Sequence, residues 1–201
     1  MLRSTSLVRR TSGAIQHRGA RNRLPEYLEP GEVETLIRCA PGVSAALVFL
    51  IQWRAGLRIS EALALRYSDL SLEGEHPTLM IRLGKGFKAR RVPVHPELKA
   101  ALRNAQRYTR GDKNALLIGV VRQTASRWVQ TAYFKAVELG AMPSGKKIST
   151  HTFRHSAARH WLASGVPINV VSRWLGHAHL QTTLIYLSVL PDPLGDIERV
   201  P

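Results

Sequence analysis

His151 and Arg154 lie three residues apart in a stretch with helical character, an offset that puts an imidazole and a guanidinium on one face about a turn apart. Both can reach one anion, which the arginine grips with its planar fork while the histidine donates a hydrogen bond or moves a proton near neutral pH. Alone, His-x-x-Arg fits a surface salt bridge or a cap equally well. A second group is Leu175-Gly176-His177 with Tyr186 nine residues after the histidine. In one uninterrupted helix that spacing sets the two side chains on opposite sides, so they converge only across a break. Gly176 offers one; without convergence, Tyr186 reads as a core-edge residue and His177 as a cap. The third is Gly56-Leu57-Arg58-Ile59-Ser60-Glu61, where Glu61 can orient a basic partner from behind while Arg58 faces a ligand. An ordinary intrahelical ion pair of a few tenths of a kcal/mol explains that fragment as cheaply.

The elements that must position these residues are mostly helical. Val33, Leu36 and Ile37 mark one face of a helix beginning near Pro30, and Pro41-Gly42 punctuates its end. The next helix, Ala45 through Ile51 to Gly56, is apolar nearly all round and so is expected to be buried. A short helix over Arg58 to Leu65 follows the Gly56 break. Between Thr78 and Val94 the period changes: Leu79, Ile81 and Leu83 alternate before Gly84-Lys85-Gly86, and Val92 and Val94 alternate after it, predicting a β-hairpin. Helices are predicted again at roughly 96–108, 124–139, 151–164, 168–175 and 180–187. The fold class is therefore mixed α and β, mainly helical with a small antiparallel sheet.

Lysine and arginine outnumber aspartate and glutamate by 29 to 14, a net charge of +15. That excess suggests a polyanionic partner, nucleic acid ahead of an anionic membrane surface. The most apolar stretch, Val43 to Trp53, is shorter than the roughly 20 residues a bilayer span needs, so no membrane partner is expected. The single cysteine, Cys39, excludes an intrachain disulfide and a cysteine-rich zinc site. Residues 1–23 carry six arginines and no acid, and read as a flexible basic arm, although the same composition resembles a mitochondrial transit peptide. Residues 24–201 form the second unit, still at +9. The hairpin's Arg82, Lys85, Lys88, Arg90 and Arg91 have no acid among them, which fits a solvated turn or, as preferred here, a finger touching DNA.

In this order and spacing, Gly56-Leu57-Arg58-Ile59-Ser60-Glu61, Gly84-Lys85-Gly86, His151-Thr152-Phe153-Arg154-His155, Leu175-Gly176-His177 and Tyr186 resemble the tyrosine recombinase, or phage integrase, family over about residues 24–187. The resemblance implies the DNA breaking-rejoining catalytic fold for residues 24–201. It implies a catalytic set of Arg58, Lys85, His151, Arg154, His177 and Tyr186. Arg58, Arg154 and His151 would hold the scissile phosphate, Tyr186 would attack to give a 3′-phosphotyrosyl intermediate, and Lys85 would protonate the leaving 5′ oxygen, with Lys88 as its rival. His177 would bond the phosphate or the tyrosine oxygen, and Glu61 would support the basic cluster. Arg82, Lys88, Arg90 and Arg91 are the expected DNA contacts, and His155 and His179 are given structural or DNA-side roles. Removing Arg154 is expected to impair cutting without changing the fold. No metal or cofactor is implied, since cations of the chain can supply the charge compensation.

Most family members carry a separate helical domain before the catalytic one, and here only the arm precedes it. That leaves a helper DNA-binding protein open as a partner, beside double-stranded DNA and self-association from dimer to tetramer. A cytoplasmic, nucleoid-associated location is expected. Three rival functions remain: a relaxase-like nuclease using His177 and His179 as a metal pair on a strand, a type IB topoisomerase, and a DNA-binding regulator without independent activity.

Overall fold

The computed structural model describes residues 26–82, 89–107, 112–187 and 190. The expected basic arm, and Lys85 and Lys88 of the expected hairpin turn, lie outside the described residues. Helices α1 (Pro30–Arg38), α2 (Val43–Ala55) and α3 (Ile59–Ala64) come first. A 3-10 turn at Tyr67–Asp69 and three short strands follow: β1 (Leu70–Ser71), β2 (Thr78–Ile81) and β3 (Arg90–Pro93). The remaining described elements are α4 (Pro96–Gln106), α5 (Arg122–Glu138), α6 (Thr150–Ala163), α7 (Ile168–Leu175) and α8 (Gln181–Leu184).

Helix α2 is the central element, with Val48, Phe49, Ile51 and Trp53 almost wholly enclosed, as its all-round apolar sequence requires. It packs on α6, where Phe49 stacks on Phe153 with ring centroids 4.8 Å apart. Truncating either ring to alanine would cost about 3–5 kcal/mol. Gln52 fastens the same pair from within, its side-chain amide donating to the Thr150 carbonyl at 2.8 Å.

The hairpin forms where the alternation places it, and β1 adds an antiparallel third strand in the order β1-β2-β3. Two residues are too few to show a period, which is why the sequence pattern does not reveal β1. Leu79 pairs with Val92 and Ile81 with Arg90. Because side chains alternate across a strand, Arg90 shares the inward face with Val92, and Arg91 points outward.

Helix α8 is also shorter than predicted. It covers four residues of the 180–187 segment, and the chain continues as turns through Tyr186. Tyr186 thereby drops into a small second core with Ala158, Leu162, Val171 and Leu175.

Candidate active site

Two left-handed glycines set the frame. Gly56 ends α2 at φ +62° and Gly176 ends α7 at φ +66°, a conformation that costs glycine little and other residues considerably more. Space reinforces the choice, since a Cβ on Gly56 would come within 2.7 Å of the Trp161 ring and one on Gly176 within 2.7 Å of the Arg90 guanidinium. Both helices therefore stop with their last carbonyls turned toward one spot, and the arginines occupy it.

Arg154 is brought there by the phase of α6. Ser149 caps that helix by accepting from the His151 amide at 3.2 Å, and the Ser149 amide in turn donates to Thr152 Oγ1 at 3.0 Å. With the first turn fixed, Arg154 points into the protein while His151 stays exposed. The Arg154 guanidinium donates to the carbonyls of Gly56 at 2.6 Å and Leu175 at 2.7 Å. Burial, then the positive charge of Arg58, lowers its pKa to about 10, so it remains a cation at neutral pH.

Glu61 is the anionic hub. It accepts from the Arg58 amide at 2.8 Å and from the Arg58 side chain at 3.1 Å, takes both terminal nitrogens of Arg90 at 2.9 Å each, and lies 3.7 Å from Arg154. Burial by itself would raise its pKa, but the hydrogen bonds from Arg90 and the Arg58 backbone, with the charges of Arg90 and Arg154, outweigh it and leave it lowered. One carboxylate thus faces three guanidiniums, and the surplus is positive. Of the three, Arg58 keeps the most exposed side chain, at 39% against 9% for Arg90 and 4% for Arg154, so it is the one best placed to meet a ligand.

Arg90 corrects an expectation. Grouped in the sequence with Arg82, Lys88 and Arg91 as a DNA contact, it turns inward, bonds Glu61 and donates to the Trp174 carbonyl at 2.9 Å. Its parity with Val92 on β3, and with Val94 just beyond it, is the physical reason and was available in the sequence. Arg91 and Arg82 are exposed, although Arg82 also pairs with buried Asp69.

Tyr186 lies against this cluster with only 3% of its surface exposed. Its Oη is hydrogen-bonded to Nδ1 of His155 at 2.8 Å. The His177 ring lies nearly parallel to the tyrosine ring, at 6.5 Å and 16°, with its own Nδ1 bonded to Thr183 Oγ1 at 2.8 Å. Desolvation raises the Tyr186 pKa, against the opposing pull of Arg154 and Arg58, so the phenol is protonated at rest. Burial, followed by nearby positive charge, lowers both His155 and His177 to about 4. His151 is lowered by desolvation and then by Arg122, Arg154 and Arg58.

The structure therefore gathers Arg58, Glu61, Arg154, His177 and Tyr186, with His151 at the edge, as the motif spacing anticipates. It adds Thr183, which sequence reasoning passed over, together with Arg90 and His155, to which the sequence assigns a DNA contact and a structural or DNA-side role. His155 carried a signal: with His151 and Arg154 it completes an i, i+3, i+4 set on one helical face. His177 and His179 lie in the loop between α7 and α8 and not on a strand, which removes the geometry a relaxase-like metal pair requires. Among the described residues no group of three or more His, Cys, Asp or Glu side chains could hold a metal ion.

A helical domain with a three-stranded sheet, arginines around a buried glutamate, and a tyrosine on the last turn define a class, and comparison agrees. Residues 26–192 match the phage integrase family, and the chain belongs to it. A tyrosine recombinase XerA from Pyrococcus furiosus is 32% identical over 179 residues, covering 88% of this chain and 62% of that protein. The crystal structure of XerA recombinase superimposes with a TM-score of 0.72 at 26% identity, over 89% of this chain and 65% of that one. A XerH site-specific recombinase bound to palindromic difH substrate, in a post-cleavage complex, gives 0.70 at 25% identity, over 91% of this chain and 55% of that one. The chain spans about three fifths of the length of the first curated relatives it matches.

Proposed function

We propose that this protein is a site-specific DNA strand transferase that works through a covalent 3′-phosphotyrosyl intermediate. The observation that carries the reading is the burial of the Tyr186 hydroxyl beside the arginine cluster centred on Glu61. Attack on a phosphodiester builds negative charge on the non-bridging oxygens, and cations fixed in place before the reaction stabilise it most. Arg58 and Arg154, with His151 at the rim, are that preorganised charge. The Tyr186 oxygen bonds to phosphorus as the bond to the 5′ oxygen breaks, and Lys85 gives that oxygen its proton. The phosphotyrosine keeps the energy of the broken bond, so a 5′-hydroxyl from the same or another strand can reseal it without ATP or a metal.

Double-stranded DNA is the proposed partner, gripped through Arg82, Lys88 and Arg91, and the DNA-bound XerH complex supports this. Self-association on DNA is part of the reading, supported by exposed Leu180, Leu184 and Leu187 on the C-terminal segment. A helper protein could supply site recognition. Among the described residues no helix is long and apolar enough to cross a membrane, in keeping with work at the nucleoid.

The test incubates the protein in EDTA with a pool of nicked duplexes of randomised core. Wild type should become attached to a 3′ phosphate on a denaturing gel and Tyr186→Phe should not. Adduct formation that requires a metal, or that survives in Tyr186→Phe, would sink the proposal.

A further inference from the structure

Resting on that reading, we infer that His155 is the base that receives the Tyr186 proton as the tyrosine attacks. The contact is direct, from Nδ1 to the reacting oxygen at 2.8 Å, within the reach a general base needs. The protonated phenol must place its hydrogen on an acceptor. His177 faces the same ring, but its Nδ1 is committed to Thr183. His151 is on the exposed side of α6, its ring centroid 6.4 Å from that of His155. Among the described residues, His155 is the imidazole hydrogen-bonded to the nucleophilic oxygen.

The surroundings suit the task. His151 and Arg154 face His155 from its own helix, and Tyr186 and His177 from the C-terminal segment. Burial and the positive neighbours keep the imidazole neutral at physiological pH, its pKa lowered to about 4, and to accept the Tyr186 proton it must carry its own on Nε2 and a lone pair on Nδ1. An imidazole held so low is a poor base at rest. A phosphodiester entering the cluster brings negative charge that offsets His151 and Arg154, the positive neighbours of His155, and the penalty on imidazolium falls just when the base is required. In the forward step the O–H bond of Tyr186 breaks, its proton moves to Nδ1, the O–P bond forms and the bond to the 5′ oxygen breaks. On resealing, Nδ1 returns the proton to the departing phenolate.

Two measurements on the full chain test the inference. In 15N-histidine protein, long-range proton-nitrogen spectra should show His155 with its proton on Nε2 and Nδ1 as acceptor. On a duplex recovered from the nicked pool, His155→Asn keeps an acceptor near the Nδ1 position but cannot take up a proton. Its adduct rate should fall by about 10²- to 10⁴-fold at unchanged DNA affinity and rise in proportion to hydroxide. The wild-type rate should instead fall as acid protonates the imidazole. A proton on Nδ1, or an undiminished rate in His155→Asn beside an active wild type, overturns the inference alone. No adduct from wild type overturns the strand-transfer reading and this inference with it.

Discussion

Arg90 meets Glu61 through two parallel bonds of 2.9 Å from a strand that also carries the outward-facing Arg91. Neighbouring arginines on one strand thus do different work, and the first prediction separates them. Arg91→Gln should leave stability unchanged and reduce the salt dependence of DNA binding by about one unit of slope. Arg90→Gln should lower the unfolding midpoint. Titrations of binding against salt and urea unfolding of both variants check this, and identical behaviour would refute the division.

Glu61→Gln keeps the size of the hub and removes its charge. Arg90 and Arg154 would then be buried without an anion, a loss of about 3–5 kcal/mol, readable by urea denaturation, and the adduct should disappear with the cluster's geometry.

Arg58→Ala and Arg154→Ala should differ. Arg58 is the more exposed of the two, so its loss should slow adduct formation by roughly 10²- to 10³-fold at near-normal stability. Arg154 holds the closing carbonyls of α2 and α7, so its removal should destabilise the fold as well, in contrast with the sequence-based expectation of an unchanged fold. Adduct rates and melting curves on the same preparations distinguish the two.

Acid should weaken the fold in two overlapping steps. His155 and His177 have folded pKa values lowered to about 4 from 6.5. The unfolded chain therefore takes up protons first, and their contribution is lost as pH falls from 6.5 toward 4. Glu61, lowered from 4.5, adds a further loss as pH falls through its folded value. Unfolding free energy measured from pH 7.5 downward should decline throughout that window, and a flat profile would contradict the burial of these groups.

Much of this site was legible because the family motifs are short and rigid. Arg58 follows Gly56 and His177 follows Gly176 as their motifs place them, Arg154 shares α6 with His151 three residues before it, and the buried character of α2 followed from composition alone. What escaped depended on contacts distant in sequence. Thr183 meets His177 across the loop that precedes α8, and Tyr186 reaches His155 across 31 positions. Arg90 was misassigned for another reason: charge was read before parity, although Val92 and Val94 had already fixed which face of β3 is inside.

The carbonyls that end α2 and α7 are answered by Arg58 and Arg154, the same guanidiniums proposed to stabilise the reacting phosphate. A chain in which either helix has not closed has no assembled cluster, and its tyrosine is an ordinary phenol. On the proposed function, cutting is thereby tied to completed folding: a copy in which either helix is still open lacks the cations the reaction needs.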